Sequence, residues 1–119
     1  MRQEPDHSLD VVAHWVATRP VSADYSTYVH VTDKAEIATP DDLLGQNDAS
    51  APVYGWYPTS QWQPNEMVRE DHVVEGLPPD RPPRTIIVGM YHHQADGQFV
   101  QLGHVVLTFD GDSWTIRTP

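Results

Sequence analysis

The sequence contains no cysteine and few basic residues. Without cysteine, disulfide bonds and thiolate chemistry are excluded, and the redox compartment stays open. Seven Lys and Arg residues stand against 17 Asp and Glu, which gives a formal net charge of −10. A surface this negative repels phosphate backbones and anionic lipid head groups, so nucleic acid and membrane surfaces are poor partners. The apolar runs are only a few residues long, so no direct membrane insertion is predicted.

Helical patterns are also missing. No window of ten or more residues places apolar side chains at i, i+3, i+4 and i+7 without an interrupting Pro or Gly. The best candidate is the stretch 40–44, where a Pro and two acids suit a first turn and predict one turn at most. The 11 prolines and seven glycines instead punctuate the 119 residues as short strands and turns require.

Strand patterns dominate what remains. In the segment 25–32, Thr27 and Val29 share one face, and Tyr28 and His30 share the other. Asp-Gly pairs predict tight turns, and Gly103 predicts a bulge or a sharp bend. The predicted strands cover residues 9–18, 25–32, 67–74, 84–92, 99–102, 104–109 and 113–117.

This spacing predicts one all-β domain over residues 1–119. Seven or eight short antiparallel strands with turns between them are typical of a two-sheet β-sandwich, of the Ig-like or jelly-roll kind. Residues 1–8 are expected to be a flexible N-terminal tail. The segment 39–65 breaks the regular spacing, and a loop of this length often has a function or wraps the domain.

That long segment carries the first candidate site. Tyr54, Trp56, Tyr57 and Trp62 supply four of the eleven aromatic residues within nine positions. Exposed rings beside Asn, Gln and Asp would form a platform for carbohydrate. The alternative is that the same rings close the open end of the sandwich as part of its core.

Histidines and acids carry two weaker hypotheses. Neighbouring strands could bring two or three histidines together as ligands of a metal ion, but no known metal-ligand spacing occurs in the sequence. The simpler interpretation is that these histidines are solvated or hydrogen-bonded. The acidic pieces at 41–42, 47–48 and 110–112 offer oxygen ligands for calcium, although turn-forming Asp is commoner. No metal or cofactor is therefore predicted. The seven histidines are His7, His14, His30, His72, His92, His93 and His104.

Catalytic fingerprints are missing as well. Glu70 and Asp71 are neighbours in a predicted strand and face opposite ways, which is a poor start for a glycosidase pair. Nothing marks Ser60 and His72 as nucleophile and base. No nucleophile elbow, P-loop or dinucleotide fingerprint occurs, so an enzymatic function has no positive support.

One stretch resembles a recurring bacterial pattern. Residues 57–68 are similar to Y-P-T-S-x-W-x-P-G-E-x-V, with Asn65 in place of the usual Gly. Similar pieces in the same order are Asp24–Val31, the acidic strand 69–72, the Leu-Pro turn 77–80 and Val88–Tyr91. At 92–93 two histidines replace a usual Asp-Pro.

The family so resembled is a β-sandwich domain. It is found at the C-terminal end of bacterial membrane glycosyltransferases of the dolichyl-phosphate-mannose mannosyltransferase type and in related surface proteins, and the resemblance spans about residues 10–109. It implies an extracytoplasmic accessory module of a membrane-anchored parent, without established catalytic residues. We therefore predict a non-catalytic module with carbohydrate or a protein as partner; the alternative is a purely structural or protein-interaction domain, and a metal-dependent hydrolase is a third, unsupported possibility.

Overall fold

The fold of the computed structural model is all-β. The structure describes residues 2–3, 8–53, 55–93, 99–109, 111 and 113–117. Two antiparallel sheets pack together, which confirms the predicted sandwich. The strands are β1 (Arg2–Gln3), β2 (Leu9–Val16), β3 (Ser26–Thr32), β4 (Leu43–Ala49), β5 (Met67–Val74), β6 (Thr85–His93), β7 (Phe99–Phe109) and β8 (Trp114–Arg117).

The two sheets differ in width. The smaller sheet has the order β1-β2-β5, and the larger has the order β4-β3-β6-β7-β8. All neighbouring strands within them run antiparallel. Part of the predicted N-terminal tail is thus paired, because Arg2–Gln3 lies along β2.

The core follows from alternation along the strands. In β3, Val29 and Val31 are fully buried between the sheets, whereas the neighbouring His30 is half-exposed on the outer face. The predicted faces of this strand are therefore confirmed. The buried apolar residues between the sheets are Leu9, Val11, Val29, Val31, Val74, Leu77, Ile86 and Val88.

The segment predicted as one long loop contains an additional strand. Residues Pro40–Asp42 form a single 3₁₀ turn, as predicted, and the chain then continues as β4. The sequence Leu-Leu-Gly-Gln-Asn-Asp-Ala hides this strand, because Gly45 and Asn47 fill two of its inward positions and only Leu44 adds an apolar side chain to the core there. A Cβ at Gly45 would lie 2.7 Å from Val74 Cγ1, so close approach of the sheets explains the missing side chain.

The two strands predicted around Gly103 form one strand, β7. Its pairing with β6 shifts register between Met90 and Tyr91, which face Gly103 and Gln101 respectively. Leu102 is thus the extra residue of a β-bulge, as the glycine indicated.

The predicted turn before β5 is confirmed. Asn65 has a φ of 65°, the left-handed conformation that suits Gly or Asn. Glu66 accepts a hydrogen bond from the backbone N–H of Gln63 at 3.1 Å. No helix among the described residues is long and apolar enough to cross a membrane.

Candidate functional site

The aromatic segment divides into exposed and buried rings. Trp56 is 82% exposed in the turn after β4. Trp62 is only 6% exposed and packs with Val68 and Met90. Tyr57 is half-buried beside this cluster, and Tyr54 lies outside the described residues.

Hydrogen bonds hold two of these rings in the fold. The indole N–H of Trp62 donates to the Tyr57 carbonyl at 3.0 Å. The Tyr57 hydroxyl donates to Glu66 Oε1 at 2.6 Å, and this bond, with some burial and the carboxylate charge, raises the pKa of Tyr57. Trp62 is therefore part of the core, and of the described rings in this segment Trp56 alone is fully open to solvent.

A second group of rings lies on the outer face of the larger sheet. The strand register places Asp48, Tyr28, Gly89 and His104 side by side on β4, β3, β6 and β7. Because Gly89 has no side chain, the Tyr28 ring lies over its backbone: a Cβ at Gly89 would sit 2.5 Å from the Tyr28 hydroxyl oxygen. This contact buries Tyr28 as the floor of a groove.

The walls of the groove are aromatic and polar. The Tyr28 ring centroid lies 4.9 Å from that of His30 and 5.9 Å from that of Tyr91. His30 Nε2 lies 3.6 Å from Asp48 Oδ1, and both side chains are partly exposed. The cavity volume is about 610 Å³, within the range of small-molecule sites. Its lining residues are Tyr28, His30, Ile37, Asp48, Ile87, Tyr91 and His104.

A smaller hollow continues the groove past Tyr91. Its volume is about 510 Å³, and Ser26, Ser50 and His92 contribute to its lining. The His92 ring lies 5.6 Å from that of Tyr25. We call the two hollows together the outer groove, since Tyr91 lines both.

Glu70 and His72 form a buried acid–imidazole pair inside the core. Both side chains are 1% exposed, and His72 Nε2 lies 2.9 Å from Glu70 Oε1, although the contact is not aligned as a hydrogen bond. Glu70 Oε1 accepts from the Trp15 indole at 2.9 Å. Glu70 Oε2 accepts from the Thr27 hydroxyl at 2.7 Å and from the Val53 backbone N–H at 3.2 Å.

These contacts determine the charge of Glu70. Burial would raise the pKa of this carboxyl, but the close contact with His72 and its electrostatic attraction, together with the hydrogen bonds from Thr27 and Trp15, outweigh it, so the pKa is lowered. The carboxylate joins β5 to β2 and β3, and thus ties the two sheets together. Because the pair is enclosed, its position suits support of the fold rather than contact with a dissolved substrate.

The other ring nitrogen of His72 is fixed by Asn47. The Asn47 amide group donates to the Val73 carbonyl at 3.2 Å, and a carbonyl only accepts. Asn47 Oδ1 therefore faces His72 Nδ1 at 2.7 Å and receives its proton.

The metal sites considered from the sequence have no matching cluster of ligands in the described part of the chain. There, no group of three or more His, Asp and Glu side chains is placed to hold a metal ion. Asp110 and Asp112 lie outside the described residues, as does part of the hairpin after β6.

Sequence reasoning did not identify the outer groove. Alternation in β3 correctly placed Tyr28 and His30 on one face, which was the available signal. Tyr91, His104 and Asp48 join them only through strand register and through β4, which the sequence did not reveal. Comparison of the chain with protein-family models, with curated proteins and with solved structures gave no match.

Proposed function

We propose that this chain is a non-catalytic accessory module that binds carbohydrate in the outer groove. The observation that carries the proposal is the cluster of Tyr28, His30 and Tyr91 rings beside Asp48. Sugars present apolar C–H faces, on which aromatic rings stack, and hydroxyl groups, which form hydrogen bonds with polar side chains. A site with both kinds of side chain therefore suits a sugar. A cavity of about 610 Å³ has room for a ligand of this kind.

The charge of the chain narrows the ligand class. A net charge of −10 repels acidic polysaccharides, so the expected ligands are neutral or amino sugars. The resemblance of residues 57–68 to a domain of membrane glycosyltransferases supports a saccharide ligand and an extracytoplasmic location. In this proposal Trp62 and Tyr57 support the fold, and Trp56 is an additional exposed ring for a longer glycan.

The test is a titration followed by two-dimensional NMR. Soluble mannan, glucan and chitin oligosaccharides are added in turn to the isotope-labelled chain. We expect at least one to shift signals from Tyr91, His30 and Asp48, and Tyr91→Ala and Asp48→Ala to weaken its binding about tenfold or more.

The matched controls lie away from the groove. His14→Ala changes an exposed histidine on the smaller sheet, and it should bind like the wild type. No shift with any saccharide, or equal loss of binding in His14→Ala, would contradict the proposal. Shifts confined to Trp56 would also contradict it and would return the ligand to the aromatic segment.

A protein-interaction function has one specific observation in its favour. Among the described residues, β8 is an outer strand of the larger sheet, and Ile116 on it is 66% exposed. Exposed strand edges accept an added strand from a partner. Ile116→Lys should abolish any self-association or partner binding at this edge, as sedimentation measures, while leaving saccharide binding unchanged.

A further inference from the structure

A second cavity lies between the sheets, near the start of the connection from β2 to β3. Its volume is about 640 Å³, and it is lined by Trp15, Met90, Val105 and the segment 16–22. The cleft is open to solvent, and its volume lies within the range of small-molecule sites. We call it the inter-sheet cleft.

The cleft exists where the bulged part of β7 lacks side-chain volume. Gly103 pairs with Met90, whose side chain packs on the inner side with Trp62. A Cβ built at Gly103 would have no atom within 4 Å, so this position borders empty space. The bulge and the glycine thus leave open space beside Met90, which is itself only 6% exposed.

The lining of the cleft mixes apolar side chains with polar ones, which include Thr18, Arg19, Ser22, Thr59 and His104. The Thr59 hydroxyl is already used, because it donates to the Ala23 carbonyl at 2.7 Å and accepts from the Tyr25 backbone N–H at 3.1 Å. Arg19 is exposed, and the described contacts give it no acidic partner. The cationic group at the edge of the cleft is therefore available to a ligand.

The charge of the lining departs from that of the chain. Asp and Glu make up 17 of the 119 residues, yet the described lining of the cleft contains none of them. Glu70, which contacts the lining residue Trp15, is buried and already bound by core hydrogen bonds. In a strongly acidic protein, this partly apolar cleft thus meets solvent beside an arginine and without a carboxylate in its described lining.

We propose that the inter-sheet cleft binds a small amphipathic anion, with a ring-bearing or aliphatic body and one carboxylate or sulfonate group. The body would replace water against Trp15 and Val105, whose side chains are partly exposed, and apolar burial supplies most of the affinity. The anionic group would bind the Arg19 guanidinium, whose planar donors match two oxygen atoms. This site is separate from the saccharide proposal, although His104 borders both cavities.

The test uses a matched pair of fluorescent probes. One is 8-anilinonaphthalene-1-sulfonate, and the other is N-phenyl-1-naphthylamine, which has similar rings without the sulfonate. Both are titrated into the folded chain, and their emission gives the dissociation constants. We expect one molecule of each to bind, and the sulfonate to bind more tightly than the amine.

Three variants test whether the probes bind in the inter-sheet cleft and whether Arg19 binds the sulfonate. Arg19→Gln should weaken the sulfonate about tenfold and leave the amine unchanged, because only the anionic group meets the guanidinium. Gly103→Leu should abolish binding of both probes, since its side chain fills the empty space. Arg84→Gln, an exposed arginine outside the lining, is the control and should change neither constant.

The proposal fails if neither probe binds or if Gly103→Leu binds both as the wild type does. It also fails if Arg19→Gln binds the sulfonate unchanged, a result that does not depend on whether Gly103→Leu folds. Saccharide titrations of Arg19→Gln should match the wild type, so failure of the outer groove and failure of the cleft give different results.

Discussion

Replacement of Glu70 by Gln is the most informative single change to the core. The amide keeps one oxygen acceptor and puts a donor group in place of the other. If the new donor takes the Oε2 position, it faces the Val53 backbone N–H; if it takes the Oε1 position, it faces the Trp15 indole N–H. In either orientation one buried N–H loses its acceptor, and His72 loses a buried negative charge 2.9 Å away.

The magnitude follows from these losses. A buried polar group without a partner costs about 1–3 kcal/mol. The hydrogen bond lost by Val53 or Trp15 sets this scale, so we expect Glu70→Gln to lower the free energy of unfolding by about 1–3 kcal/mol. That is a sizeable part of the roughly 5–15 kcal/mol of a typical domain.

Urea unfolding at neutral pH, followed by tryptophan fluorescence, measures this difference. Glu75→Gln is the matched control, because Glu75 is exposed just after the same strand and should change the free energy of unfolding by less than about 0.5 kcal/mol. A loss below about 1 kcal/mol for Glu70→Gln would refute the reasoning, since the carboxylate would then not be bound in the core as described.

The stability difference between the wild type and the same variant should depend on pH. The pKa of Glu70 is lower in the folded chain than its ordinary value of 4.5, so folding favours the ionised carboxyl. Its stabilisation is fully present above that value and is lost as the pH falls through the lower folded pKa. Between the wild type and Glu70→Gln, the difference in the free energy of unfolding should therefore narrow on acidification below about pH 4.5. A difference that is constant with pH would contradict ionisation of Glu70 in the fold.

Three further predictions test other parts of the structure. Gly45→Ala should lower the free energy of unfolding in urea by about 1–3 kcal/mol because the sheets meet at that position, whereas Gly103→Ala enters open space and should be nearly neutral. Asn47→Ala should cost about 1–3 kcal/mol in the same assay, because it leaves two buried hydrogen-bonding groups without partners. In an ultraviolet titration, Tyr57 should ionise above its ordinary pKa of 10.0, and Glu66→Gln should move it back towards that value; an unchanged curve would contradict the hydrogen bond between them.

Much of the fold could be predicted from the sequence because alternation and turn residues are local signals. The segment 67–74 and the faces of β3 were predicted correctly, and Gly103 did mark a bulge. The strand β4 could not be predicted, because Gly45 and Asn47 fill two of its inward positions and break the apolar alternation. These two residues suit the interior because of what faces them on the opposite sheet. Val74 leaves no room for a side chain at Gly45, and His72 hydrogen-bonds the Asn47 amide.

The candidate site was harder to predict, because sequence proximity is a poor guide to which rings meet. The aromatic residues of the segment 54–62 are close in sequence, yet the structure buries Trp62 and exposes Trp56. The rings of Tyr28 and Tyr91 are far apart in sequence and meet across two strands. Strand register, which fixes such meetings, depends on the whole sheet rather than on any short pattern.

The Val53 hydrogen bond links the exposed turn to the centre of the protein. Val53 has a φ of 57°, an unfavourable conformation for a β-branched residue, and its N–H donates to the Glu70 carboxylate. The turn that presents Trp56 is thus anchored on the group that joins the sheets. Hydrogen exchange at the Val53 amide should therefore occur at the rate of global unfolding, slower than exchange of an ordinary surface turn, and one amide signal would report the integrity of the whole sandwich.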